Sequence, residues 1–202
     1  MFLFDKLYYD KGLSFVSGVD EAGRGPLAGP VVAAAVILPK GTSIDGVNDS
    51  KKLTEKKRNE LFEIITQKAA AYGIATVDNK IIDRINILEA TFLAMRNAVS
   101  SLKIKPEVIL VDGNHKIPDL DINQEAIVDG DAKSACIACA SILAKVTRDR
   151  LMYQYAKEFP QYLFEDHKGY GTKKHIACIK QYGPCEIHRK TFAPVKDFIK
   201  PS

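Results

Sequence analysis

Three apolar runs in this chain lead into acid. Asp20-Glu21 follow Phe15-Val-Ser-Gly-Val19, Asp112 follows Val108-Ile-Leu-Val111, and Asp131 lies just past Ala126-Ile-Val128. Carboxylates gathered at strand ends repel one another in a partly buried site. Hard cations such as Mg²⁺ or Mn²⁺ relieve that repulsion and take oxygen ligands. Two such ions about 4 Å apart can activate a water and stabilise the leaving oxygen of a phosphodiester. The competing reading is of loop acids that cap helices or face water. For any single acid that bland reading is the better one. For Asp20, Glu21 and Asp112 together, pattern alone leaves the two on an equal footing.

A second feature adjoins the first acids, the stretch Gly23-Arg24-Gly25-Pro26-Leu-Ala-Gly-Pro30. It mimics a dinucleotide fingerprint, but such a fingerprint must open a helix, and here Pro26 and Pro30 lead into a strand-like run. The G-K-[ST] ending of a P-loop is also absent. What remains is a glycine-rich turn that lets the backbone approach a ligand closely, with Arg24 available to a phosphate, or else a purely structural turn. The third feature is Asp166-His-Lys-Gly-Tyr170-Gly-Thr-Lys-Lys-His175. A tyrosine between glycines and basic residues suits stacking on a sugar or base while lysines hold backbone phosphates. A solvated basic loop is the plain alternative.

Other residues argue against other chemistries. His115, His167, His175 and His188 have no metal-ligand spacing on a common helix face, so none is read as a zinc ligand. Cys136 and Cys139 form a C-x-x-C, but inside an apolar helical run, and Cys178 and Cys185 make a poor second knuckle. Small core cysteines are the better reading. Lys145 and Asp149 sit one helical turn apart and read as a surface pair, with Asp149 a weak candidate for an extra acid.

The elements that must position these residues are legible in outline. Strands are expected at Phe15–Val19, Val31–Leu38, Tyr72–Val77, Val108–Val111 and Ala126–Val128. Asn48–Lys52 reads as a polar turn, and Thr54 as the N-cap of a helix carrying Leu61, Ile64, Ile65 and Ala69 on one face. Steps of three and four from Ile85 to Leu102 predict a second helix. A long helix is expected from about Lys133 towards Phe159, and a short one near Lys173–Gln181. That order implies an α/β domain with a mixed central sheet flanked by helices. The 202 residues, 46% of them hydrophobic and 27% charged, suit one domain. The net charge of +4 is compatible with nucleic acid without pointing to it. No apolar run reaches membrane-spanning length, and Asp5, Lys6, Asp10 and Lys11 break any signal-peptide core, so a cytoplasmic protein without disulfides is expected.

These blocks together resemble the bacterial ribonuclease HII family. Gly18-Val-Asp-Glu-Ala-Gly-Arg-Gly-Pro-Leu-Ala-Gly-Pro-Val-Val32 is close to its opening signature. Asn48-Asp-Ser-Lys-Lys-Leu53, Val111-Asp-Gly113, Gly130-Asp131, Ala140–Asp149, His167-Lys-Gly-Tyr170 and Ile187–Pro194 match its later blocks in order. The resemblance implies a ribonuclease H-like fold, with residues 1–202 as one catalytic domain and about 160–202 a basic, partly helical, substrate-contacting segment. It implies four acids, Asp20, Glu21, Asp112 and Asp131, holding two Mg²⁺ or Mn²⁺ ions. It implies hydrolysis of the RNA strand of RNA–DNA hybrids, and cutting 5′ of ribonucleotides embedded in duplex DNA, as in ribonucleotide excision repair. Gly23, Arg24 and Gly25 would contact the 2′-hydroxyl, Tyr170 would pack on the next sugar, and Lys51 would hold a phosphate. A monomer with no membrane partner is expected. No clamp-binding motif ends the chain, and the short lead before the first strand argues against the extra N-terminal domain of ribonuclease HIII. Two other readings are a non-catalytic hybrid-binding module, which would bind equally well without divalent ions, and another nuclease of this fold class, which would prefer branched DNA.

Overall fold

The computed structural model describes residues 2–47, 50 and 53–199. Its layering follows from one strand, β2 (Val31–Ile37), in which every residue is buried. Neighbouring side chains of a strand face opposite ways. Val31, Ala33 and Ala35 therefore pack with Phe92, Met95 and Val99 on one side. Val32, Ala34 and Val36 pack with Leu61, Ile65 and Ala140 on the other. With apolar clusters on both faces, the sheet must be covered twice, and helices do so.

The other strands are β1 (Val16–Ala22), β3 (Ala71–Val77), β4 (Val108–Asp112) and β5 (Asn123–Ile127). They run in the order β3-β2-β1-β4-β5. The first three are antiparallel, whereas β1, β4 and β5 run parallel. This is the expected mixed sheet. The helices are α1 (Phe2–Asp10), α2 (Glu55–Lys68), α3 (Asn79–Ile85), α4 (Ile87–Ser100), α5 (Gly130–Lys133), α6 (Ala135–Glu158), α7 (Phe164–His167) and α8 (Lys173–Tyr182). No helix among the described residues is long and apolar enough to cross a membrane.

α6 lies against β1 so closely that a Cβ on Gly18 would stand 2.1 Å from the carbonyl carbon of Cys136. Only glycine fits there. Cys136 and Cys139 are free and buried in that interface, as core cysteines. Thr54 caps α2 as expected, its hydroxyl accepting from the Lys57 amide at 3.2 Å.

Several boundaries differ from the sequence reading. β1 does not stop before the acids: pairing with β2 continues to Ala22 opposite Val32, so Asp20 and Glu21 belong to the strand. The apolar steps from Ile85 onward hide a break at Asn86, whose φ of 66° ends α3. Its side chain then caps α4 by accepting from the amides of Leu88 and Glu89. Ile85 thus belongs to the preceding helix. The long helix starts at Ala135, because Ser134 leaves helical geometry and caps it through the Ile137 amide. β5 lies nearer the N-terminus than Ala126–Val128, and Val128 is exposed. Helices α1 and α3 had no counterpart in the sequence reading, since their short apolar stretches show no sustained period.

Candidate active site

The parallel strands bring the acids together. Val19 of β1 pairs with Val111 of β4, so the next residues along the two strands are Asp20 and Asp112. Pleating sends Asp20 to the α6 side and Glu21 to the α4 side. Asp112 in turn pairs with Ile127 of β5, beyond which a left-handed turn at Asp129 opens α5 with Gly130 and Asp131. Asp112 Oδ1 accepts from the amides of Gly130 at 2.7 Å and Asp131 at 3.3 Å. The acids thus sit where strands of an α/β sheet end at their carboxyl side, a recurrent place for ligands.

Asp20, Glu21, Asp112, the turn Gly23-Arg24-Gly25 and Tyr170 line one cleft. Asp131 stands beside Asp112 on α5 and is buried, but it does not line that cleft wall. Lys51 lies outside the described residues. The Tyr170 ring comes within van der Waals reach of Gly25, 3.8 Å from where a Cβ would stand. A main-chain bond from the Leu27 amide to Gly169 O, 2.8 Å, ties the tyrosine loop to the glycine turn.

The electrostatics of the cleft are those of crowded anions. Burial, then the charges of Glu21 and Asp112, push the Asp20 carboxyl well above the usual carboxylate range. Burial also raises Glu21, against the pull of Arg24, whose Nη1 lies 3.4 Å from Glu21 Oε1. A divalent cation is the natural counter-charge for such a set, and all the donors are oxygens, which hard cations prefer. As they stand, no three Asp, Glu, His or Cys side chains among the described residues close on a single point. The reason is visible: Glu21 leans to Arg24 and Asp112 is tied to the α5 amides.

Other side chains reach the site that the sequence analysis did not assign to it. Lys145 lines the cleft and is anchored to Asp149 at 2.7 Å. The expected pair forms, but Asp149 is buried rather than at the surface, does not line the cleft and lies 3.9 Å from Arg58. Ser50 and Ser141 share a hydrogen bond of 2.9 Å at the cleft wall. Arg148 and Arg189 are fully buried behind the glycine turn. His167, His175 and His188 form a buried stack rather than a metal set, with His175 Nε2 and His188 Nε2 3.1 Å apart.

The chain is similar to known proteins over nearly its whole length. Residues 17–195 match the family model described as Ribonuclease HII. A ribonuclease HII from Endomicrobium trichonymphae is 62% identical over 199 residues, covering 98% of this chain and 95% of the relative. Among solved structures, ribonuclease H2 from Pyrococcus horikoshii OT3 superposes with a TM-score of 0.76 at 31% identity, over 91% of this chain and 96% of that one. Ribonuclease HII from Archaeoglobus fulgidus, solved in complex with PCNA, gives 0.74 at 26% identity, over 88% and 95%. The fold is therefore ribonuclease H-like, and by these matches the chain belongs to the ribonuclease HII family and is a ribonuclease H, a hydrolase.

Proposed function

We propose that this endoribonuclease cuts the RNA strand of RNA–DNA hybrids and the 5′ side of ribonucleotides embedded in duplex DNA, in the cytoplasm, through two-ion hydrolysis. The family depends on divalent metal. Asp20, Glu21, Asp112 and Asp131 would hold the ions, Mg²⁺ or Mn²⁺, in this chain. Bound there, such ions lower the pKa of a water and offset charge on the leaving oxygen. The observation that carries the reading is the meeting of three carboxylates with a glycine turn and an aromatic ring in one cleft.

The chain's own residues then divide the work of recognition. Only the 2′-hydroxyl separates RNA from DNA at the cut. The exposed Arg24 and Gly25 offer their backbone to it. Tyr170, 44% exposed, would pack its ring on the next sugar. Lys145, fixed by Asp149, sets a positive charge toward the phosphodiester. Single-ribonucleotide substrates, DNA partners and a monomeric state all belong to this proposal.

The test is a DNA duplex carrying one internal ribonucleotide, incubated with Mg²⁺ or Mn²⁺. Cleavage on its 5′ side, with all-DNA duplex left intact, is expected. Asp112→Asn should abolish cutting while keeping the fold, because the amide oxygen can still accept from Gly130 and Asp131. No cutting by the folded native protein with either ion would refute the proposal, and substantial activity of Asp112→Asn would refute the ligand assignment.

A further inference from the structure

The carbonyls behind the glycine turn face inward, onto two guanidinium groups from distant parts of the chain. Arg189 donates from Nη2 to Gly23 O at 2.5 Å, from Nη1 to Arg24 O at 2.8 Å and from Nε to Gly29 O at 3.0 Å. Arg148 donates from Nε to Pro30 O at 3.1 Å and from Nη2 to Ala28 O at 3.2 Å. Both side chains are fully buried. Burial draws Arg189 down to about 9 and Arg148 to about 10, which leaves both charged at neutral pH. Apart from Arg148 Nη1, which is buried without a hydrogen-bond partner among the described residues, each of these nitrogens donates to a main-chain oxygen, an uncommon use for a buried guanidinium that carboxylates usually claim.

The segment that carries Arg189 is itself strapped to the turn. The Arg189 amide donates to Leu27 O at 2.8 Å, and the Gly29 amide to Ile187 O at 2.9 Å. Arg148 packs on the face of Gly23, where a Cβ would stand 2.2 Å from its Nε. With a φ of 101°, Gly23 also holds a conformation that side chains disfavour.

The direction of these carbonyls fixes the direction of the next amides. A trans peptide is planar, with its C=O and the following N–H pointing opposite ways. Since Gly23 O and Arg24 O turn in to Arg189, the N–H groups of Arg24 and Gly25 turn away from it. Neither amide has an acceptor among the described residues. Both residues are exposed and line the cleft beside Asp20 and Glu21. An unpaired donor pair beside a catalytic centre suits an oxygen acceptor on the substrate.

We propose that Arg189 is a positioning residue for ribose recognition, pinning the Gly23 and Arg24 carbonyls so that the following two amides stay aimed at the 2′-oxygen. It does not touch substrate. Its planar fork reaches three carbonyls in one plane, which an ammonium group at a single point cannot do. The proposal rests on the reading of the cleft as a site that cuts beside a ribonucleotide.

The experiment compares the full-length native protein with Arg189→Lys and Arg189→Gln, in Mn²⁺. It uses two duplexes that differ only in having ribose or deoxyribose at one position, at high enzyme concentration. The melting-temperature rise caused by Mn²⁺ alone is measured in parallel. Both variants should keep that rise, while the ribose-over-deoxyribose ratio of kcat/KM contracts tenfold or more, with Arg189→Gln the worse. An unchanged ratio would overturn the proposal, whether total activity holds or falls, because a merely structural defect slows both substrates alike. Failure of both variants to fold would also overturn it, by assigning Arg189 to the fold itself. If the native protein does not cut at the ribose, it is the functional reading that falls.

Discussion

At the scale of single residues, the site is a compromise between repulsion and use. Asp20 is 5% exposed and faces two further carboxylates, so its charge costs stability when no cation is bound. Asp20→Asn should therefore raise the melting temperature of the metal-free protein, by about 1 kcal/mol in stability, while abolishing cleavage. A calorimetric scan in chelator checks this, and a lower melting temperature would contradict the repulsion. Tyr170→Ala removes a ring backed by Gly25 and by the Arg148 guanidinium 5.9 Å from its centroid. Cutting at single embedded ribonucleotides should fall about 10- to 100-fold, the worth of one stacking contact of about 1–3 kcal/mol. Long hybrids should suffer less, and equal loss on both would contradict the proposed packing of Tyr170 on the sugar next to the ribonucleotide. The acids and the glycine turn were legible in the sequence because their residue types are unusual at the ends of apolar runs. Arg148 and Arg189 were not, because their partners are main-chain carbonyls, which no residue type announces. The cluster of three histidines was hidden for a related reason: it is assembled from α7, α8 and the segment after it, not from one helix face.

At the scale of elements, periodicity was a good guide to helix type and a poor one to helix ends. The steps of three and four through Ile85 and Leu88 continue across Asn86, so the break is carried by one residue's backbone alone. Its left-handed φ of 66° and its side-chain bonds to Leu88 and Glu89 make Asn86 both a strained corner and a cap. Asn86→Ala loses the cap and keeps the strain, and should cost about 2 kcal/mol in denaturant unfolding. Asn86→Gly should cost less, since glycine accepts the backbone geometry. If the two cost the same, strain plays no part at this corner. β1 was shortened in the sequence reading because charged residues do not look like a strand interior, yet pairing with the alanine-rich β2 carries it through Asp20 and Glu21. The half of the sheet that holds the acids was thus legible as strands, but not the register that sets Asp20 beside Asp112.

At the scale of the whole molecule, the histidine stack links the tail to the tyrosine loop. The His188 Nδ1 accepts from the Cys185 amide at 2.9 Å, so its Nε2 carries the proton and donates to His175 Nε2. His175 Nδ1 then donates to Tyr170 O at 2.9 Å. Each ring is neutral in this chain of bonds. Burial holds both His175 and His188 down at about 4. A histidine with a folded pKa below its unfolded value of about 6.5 stabilises fully above that pH and loses the contribution as pH falls towards 4. The expected loss is on the order of 3 kcal/mol per ring, and less than additive for a bonded pair. Urea midpoints measured between pH 7 and 4 should fall across this window, and His175→Gln or His188→Gln should flatten that part of the curve. A flat native profile would rule out neutral buried rings.

The strap between the glycine turn and the segment around Arg189 joins positions far apart in the chain, Gly29 with Ile187 and Gly23 with Arg189. The loop between such partners costs entropy to close, and its ends meet slowly. The turn is therefore expected to take its final shape late in refolding, after more local pairing has built the sheet that carries the acids. Hydrogen exchange during refolding should then protect the strand amides before the Arg189 amide, whose bond to Leu27 O closes the strap.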